Sequence, residues 1–221
     1  KPNKTMLDRL VSRKTKLQVY FGINFFVFLI ALLVSWRAAL FFSAYIFSIW
    51  IYSHKIKKIV ILGNIMAALL AVLPFFGILL YYKNFYQVIF AHATFLFLII
   101  LIREMVKDLE NLKGDMVQQY QTLPVMFGEQ LSKKVITVLT LATGMPVYIL
   151  IDIFDVGYMD IYFYLSFMVL ILFLLKLWSS NTKANYVLLH NLLKLVIVAG
   201  VFSIILIKPS LLIHGRELLP I

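Results

Sequence analysis

Residues 85–102 read FYQVIFAHATFLFLIILI, and residues 103–134 continue as REMVKDLENLKGDMVQQYQTLPVMFGEQLSKK. The first stretch has no Asp, Glu, Lys or Arg and is apolar on every face of a helix, the pattern of a segment with no water beside it. Crossing a ~30 Å hydrocarbon core takes about 20 such residues. Similar runs recur along the chain, seven in all, over roughly 17–35, 38–52, 59–82, 85–102, 135–151, 158–178 and 186–207. Barrel strands alternate apolar and polar residues over ~10 positions, which these runs do not. The sequence therefore predicts an all-α, multi-pass membrane protein of seven transmembrane helices, with residues 1–221 forming a single membrane domain. The second run follows the first through Trp36 and Arg37, which predicts a tight antiparallel hairpin, and Pro74 and Gly77 predict a kink in the third.

The composition agrees. The chain is 62% hydrophobic and 14% charged, whereas a soluble domain is typically about 45–50% apolar and about 25% charged. With no cysteine, disulfides, thiolate metal sites and cysteine nucleophiles are excluded, leaving oxygen and nitrogen chemistry. A formal charge of +11 would suggest nucleic acid in a soluble protein. Here the cations sit between apolar runs and read as topology signals, so membrane lipids are the expected surroundings and no nucleic-acid partner is expected.

Placing residues 1–16 in the cytoplasm puts 53–58, 103–134 and 179–185 on the same side. These four segments hold fifteen of the twenty-one Lys and Arg residues, against Arg37, Lys83, Lys208 and Arg216 on the other. The loop 152–160, with three acids and no base, falls outside. Lys176 is expected to snorkel to the cytoplasmic interface, and Lys194 to lie deeper, facing a polar cavity. The expected location is the cell (plasma) membrane, with residues 103–134 as a cytoplasmic acidic loop-helix.

That segment holds five of the ten acids: Glu104, Asp108, Glu110, Asp115 and Glu129. At about 100° per residue, Glu104, Asp108, Asn111 and Asp115 fall on one helical stripe about 60° wide. Like charges one turn apart repel, so the stripe favours a cation beside it. Hard oxygen donors select Mg²⁺ or Ca²⁺, and Mg²⁺ commonly combines one or two carboxylates with substrate phosphate. Arg103, Lys107 and Lys113 lie among the acids, an arrangement suited to a diphosphate. The plainer reading is a solvated interfacial segment. Tyr52, His54, Lys55, Lys57 and Lys58 on the same side, and the Thr122-Leu123-Pro124 and Gly128 that fold the segment back, weigh against it. His92 and His190 stand alone in apolar runs and read as core histidines.

These residues resemble the UbiA superfamily of intramembrane prenyltransferases, closest to its digeranylgeranylglyceryl phosphate synthase-like branch. The second aspartate-rich motif there reads R-E-x-x-K-D-x-E-D-x-x-G-D, followed by T-L-P and a glycine. Arg103, Glu104, Lys107, Asp108, Glu110, Gly114, Asp115, Thr122, Leu123, Pro124 and Gly128 match it, and Asn111 replaces an acid. Tyr52 and Ser53 with the lysines after them, then Gly63 and Asn64, resemble the family's junction of helices four and five. The seven runs resemble helices three to nine of a nine-helix bundle, with Lys1 and Pro2 standing just after a first aspartate-rich motif, so the chain is expected to lack half of the metal site.

The resemblance implies a Mg²⁺-dependent prenyltransferase. Asp108, Asn111 and Asp115 would be the catalytic metal-binding residues, and Arg103, Lys107 and Lys58 would hold the diphosphate, with Tyr52 and Asn64 lining the substrate pocket. The donor would be a polyprenyl diphosphate, geranylgeranyl diphosphate above all. The acceptor would be a lipid such as geranylgeranylglyceryl phosphate, captured by the allylic cation as diphosphate leaves. Prenylation of an aromatic quinone or tocopherol precursor is the first alternative, and a non-catalytic membrane relative or inactive fragment the second. Transport is disfavoured, because transporter sites lie near the midplane and these acids gather at one surface.

Overall fold

The structure, a computed structural model, describes residues 12–82, 85–203 and 206. The basic residues of 1–11, with Lys83, Lys208 and Arg216, lie outside the described residues, as do Lys1 and Pro2. The chain is a multi-pass membrane protein whose described residues are all-helical, with seven main helices among them: α1 Arg13–Val34, α2 Trp36–His54, α3 Leu62–Tyr82, α4 Gln87–Val117, α5 Leu123–Ala142, α6 Asp160–Ser179 and α7 Lys183–Ser203. Helix α5 continues through Gly144–Tyr148 into a π-helical turn, Ile149–Ile153. Among the described residues five stretches are long and apolar enough to cross a membrane, in α1, α4, α5 with its continuation, α6 and α7. The other two helices are the 19-residue α2 and the Pro74-containing α3, whose shorter apolar part is Leu62–Gly77.

Packing divides the chain into two units that meet in sequence at Ile51 and Tyr52. In the first, Ser12 caps α1 by accepting the Thr15 N–H at 3.1 Å. Ser35 is the single extended residue between α1 and α2. Its N–H closes α1 on Ala31, and its hydroxyl caps α2 by accepting the Ala38 N–H at 3.1 Å. Most large apolar side chains of α1 are exposed, as suits a helix facing lipid.

In the second unit α4 is central, packing most extensively against α7, α5 and α3. One face carries Phe95, Ile99, Ile102, Met105, Val106 and Leu109 into a core shared with Ile136, Phe163, Phe173, Leu189 and Leu193. A second core joins Ala93, Ile100 and Leu101 to Ala68 and Val72 of α3. Because Met105, Val106 and Leu109 carry the buried face past Ile102, the charged residues do not end the helix. Residues 103–134 are thus the C-terminal half of α4 and the N-terminal half of α5, joined by 118–122. Thr122 precedes α5, with Leu123 and Pro124 in its first turn, where proline's missing N–H costs nothing. Gly128, at φ 81° and ψ 169°, breaks the α5 ladder in a conformation closed to other residues.

Candidate active site

The C-terminal half of α4 presents the oxygen stripe. Asp108 accepts a 2.7 Å hydrogen bond at Oδ2 from the Asn64 amide of α3, a residue only 8% exposed. One oxygen of that carboxylate is thereby fixed. Asn111 donates its amide N–H to the Lys107 carbonyl at 3.0 Å, which leaves its own carbonyl oxygen as the outward acceptor. Asp115, partly buried, feels the charges of Lys57 and Lys107. Glu104, at the other end of the stripe, accepts from Lys107 at 2.9 Å and Arg103 at 3.1 Å. Tyr52, partly buried at the end of α2, lies in the field of Glu104 and Asp108.

Two short connections flank the stripe. A 3₁₀ turn, Ile56–Lys58, precedes α3, and the Gln121 N–H donates to the Lys58 carbonyl at 3.3 Å, tying it to the α4–α5 link. Lys57 and Lys58 place their ammonium groups 5.2 and 6.0 Å from the centroid of the Tyr120 ring, within cation–π range. A Cβ on Gly63 would stand 2.9 Å from the Lys57 carbonyl oxygen, so a glycine is what lets this turn lie against α3. Both connections hold non-glycine residues at positive φ, Ile61 at 62° and Gln119 at 56°. Such strain gathers at functional sites.

Of the expected site residues, the structure brings Asp108, Asn64 and Tyr52 together and sets Asn111, Asp115 and Lys107 along the same edge. Lys58 is exposed and turned to Tyr120, and Lys57 is the loop lysine whose charge acts on Asp115. Arg103 lies about 110° around α4 from the centre of the stripe, bound to Glu104 and acting on His190 of α7.

Among the described residues no three His, Cys, Asp or Glu side chains gather as a metal-binding group. Asp108 and Asp115 are two turns apart, about 10 Å along the axis, so they cannot close on one ion. What they fit is Mg²⁺ bound through one or two oxygens at a time, its shell completed by water and phosphate. Asp108 with Asn111, and Asn111 with Asp115, are the neighbouring pairs for that role.

Two polar contacts were not legible from spacing. His190 Nδ1 lies 3.2 Å from Glu110 Oε2, both groups nearly buried. Lys133 is 1% exposed, donating to the Ser180 carbonyl at 2.6 Å and Asn181 Oδ1 at 3.1 Å with its charge 5.9 Å from the Tyr186 ring. The Tyr186 hydroxyl lies 3.1 Å from Glu129 Oε2. Partners 80 and 47 residues apart leave no local signature. The one available hint was Glu129 standing one helical turn before Lys133.

The chain matches the UbiA prenyltransferase family over residues 1–206. It is 32% identical over 137 residues to a digeranylgeranylglyceryl phosphate synthase of Pyrococcus horikoshii, covering 60% of this chain and 47% of that protein. A protein of the same name from Thermococcus sibiricus is 27% identical over 144 residues, 65% of this chain and 51% of its own. One from Sulfurisphaera tokodaii is 25% identical over 185 residues, 80% of this chain and 62% of its own. The chain thus spans about half the length of the first two. No solved structure matches.

Proposed function

Because the chain belongs to the UbiA prenyltransferase family, we propose that it transfers a polyprenyl group, geranylgeranyl above all, from its diphosphate to a lipid acceptor such as geranylgeranylglyceryl phosphate. The observation that carries this reading is the stripe of Asp108, Asn111 and Asp115 with Lys57 and Lys107 beside it. Metal-binding oxygens and ammonium groups along one edge suit a diphosphate, which needs both. The relatives reported above are named for synthesis of digeranylgeranylglyceryl phosphate, a glyceryl phosphate lipid.

In this reading Asp108, Asn111 and Asp115 would hold Mg²⁺, which would supply positive charge to offset that of the diphosphate. Asn64 orients Asp108 through its amide, and Tyr52 closes the pocket beside it. Lys57 and Lys107 approach the phosphates, with Arg103 and Lys58 as outer cations. The allylic carbon–oxygen bond breaks with its electron pair passing to diphosphate. The acceptor hydroxyl oxygen then bonds to the allylic carbon and releases its proton to water. Outward along α4 the stripe's own side continues through Leu101, Phe97 and Phe90, an apolar track whose aromatic rings suit a prenyl chain and its cation. Residues 1–221 act as one membrane domain in the cell membrane, with 103–134 at the cytoplasmic surface.

The test is transfer from labelled geranylgeranyl diphosphate by the full-length protein in lipid nanodiscs, offered an alkylglycerol phosphate and an aromatic quinone precursor side by side. Product with the glycerol phosphate supports the proposal. Product with the aromatic alone would replace the acceptor, and no product with either would make the protein a non-catalytic relative.

A further inference from the structure

The seam between α4 and α7 carries two features set away from the stripe, and they adjoin. The first is an apolar cavity of about 430 Å³ at the outer half of the seam, whose lining includes Phe95, Ile99, Tyr162, Val196 and Gly200. The second is a polar cluster at the inner half. Arg103, four residues beyond Ile99, and Glu110, two turns further, stand about 20° apart on α4. Both lie more than 100° around the helix from the centre of the stripe, on the side that carries Ile99 and the cavity.

Across this face His190 Nδ1 meets Glu110 Oε2 at 3.2 Å. A carboxylate accepts, so Nδ1 carries the hydrogen, and Nε2 of the neutral ring is an acceptor that meets a phosphate by taking the hydrogen of its singly protonated form. Arg103 and Lys194 are the cations acting on His190. Lys194 is exposed, one turn along α7, so the seam opens beside it. Two atoms of the cluster, Arg103 Nε and His190 Nε2, are buried with no hydrogen-bond partner. Buried polar atoms are satisfied as a rule. Two orphans in one cluster, with two cations beside them and an apolar cavity next along the seam, describe an amphiphile with an anionic head.

We propose that Arg103, His190 and Lys194 bind the phosphate of a single-chain lipid phosphate whose hydrocarbon enters the cavity between α4 and α7. The occupant is the class read above as the acceptor, and only that identification rests on the proposed function. Charge complementarity selects the head: Arg103 and Lys194 are the cations acting on His190, Arg103 keeps its Nε–H unpaired while its Nη1 holds Glu104, and Glu110 engages the opposite side of the imidazole. Depth agrees, because Glu110 lies between Asp108 and Asn111 in sequence, so the head sits level with the stripe.

The experiment measures binding to the intact chain in nanodiscs without Mg²⁺, using four probes: an alkylglycerol phosphate, the same alkylglycerol without phosphate, inorganic phosphate, and a two-chain phosphatidylglycerol. The proposal expects the alkylglycerol phosphate to bind at least tenfold more tightly than each of the others. His190→Gln and Lys194→Met should each weaken it at least fivefold while pyrophosphate binding with Mg²⁺ stays unchanged. Gly200→Leu, in which even a Cβ would stand 2.6 Å from the Tyr162 hydroxyl, should reshape the cavity and weaken long-chain probes but not glycerol phosphate itself. Equal binding of the phosphate-free lipid would overturn the head site. Equal binding of inorganic phosphate or phosphatidylglycerol would reduce it to an anion site or a resident-lipid site and overturn it too, as would no binding. If transfer proves to need an aromatic acceptor while alkylglycerol phosphate still binds here, the proposed function fails and the binding site stands.

Discussion

The Asn64 amide of α3 donates a 2.7 Å hydrogen bond to the Asp108 carboxylate of α4, so the first acid of the metal stripe is aimed by a neighbouring helix rather than by its own. Asn64→Leu keeps a side chain of similar size and removes the donor. Leaving a buried partner unsatisfied costs about 1–3 kcal/mol, more for a charged group. Because 1.36 kcal/mol is tenfold in rate, turnover should fall roughly tenfold or more. Asn64→Asp should fall further, since it sets a second carboxylate against Asp108. Steady-state kinetics on both variants, with circular dichroism to confirm the helices, decide this; unchanged turnover in Asn64→Leu would remove Asn64 from the site.

Divalent metal dependence follows from oxygen donors that cannot enclose an ion by themselves. A site completed by water and phosphate should bind metal weakly alone and strongly with diphosphate present. Chelation with EDTA is expected to abolish transfer and Mg²⁺ to restore it, while pyrophosphate should raise the apparent Mg²⁺ affinity measured by calorimetry. Asp115→Ala should lose both effects. Metal affinity indifferent to pyrophosphate would contradict this arrangement.

The helices and the stripe were legible because each is a local pattern. Uniform apolarity over a span's length marks α4, and one helical period puts Asp108, Asn111 and Asp115 on an edge. The end of α4 was not, because the charges after Ile102 suggested a boundary, whereas buried Met105, Val106 and Leu109 carry the core face on for more than a turn. Partners were the other gap. His190 was read as solitary and meets Glu110 from another helix. Lys133, counted among the surface cations, is buried under the α6–α7 link. Contacts across helices depend on which faces meet, and periodicity within one helix does not encode that.

Lys133 supplies the next prediction. Its ammonium joins α5 to the Ser180 carbonyl and Asn181 between α6 and α7. Lys133→Met preserves the aliphatic stem while leaving those acceptors and the Tyr186–Glu129 pair without their cation. Leaving a buried acceptor unsatisfied costs about 1–3 kcal/mol. A large fall in the detergent melting temperature is expected, with Lys133→Arg intermediate. Because this cluster lies apart from the stripe, the donor KM of folded Lys133→Arg should stay within twofold of the parent. An unchanged melting temperature in Lys133→Met would show that the link holds without the clamp.

Gln119 offers a change in the opposite direction. It is exposed and held at φ 56° in the connection after α4. The left-handed region costs a non-glycine residue roughly 1–2 kcal/mol, whereas a glycine loses more freedom on folding, a penalty of roughly 0.5–1 kcal/mol where it replaces alanine in a regular element. The difference favours Gln119→Gly by up to about 1 kcal/mol, read as a higher melting temperature or unfolding midpoint. The same substitution at Ile61, also at positive φ but β-branched, should gain more because its side chain is the harder to accommodate there. Both connections border the stripe, so the two variants also report whether the strain is used. If the turns are held taut to present Lys57, Ile61→Gly should raise the KM for the diphosphate donor as it raises stability. A gain in stability with no change in KM would make the strain incidental.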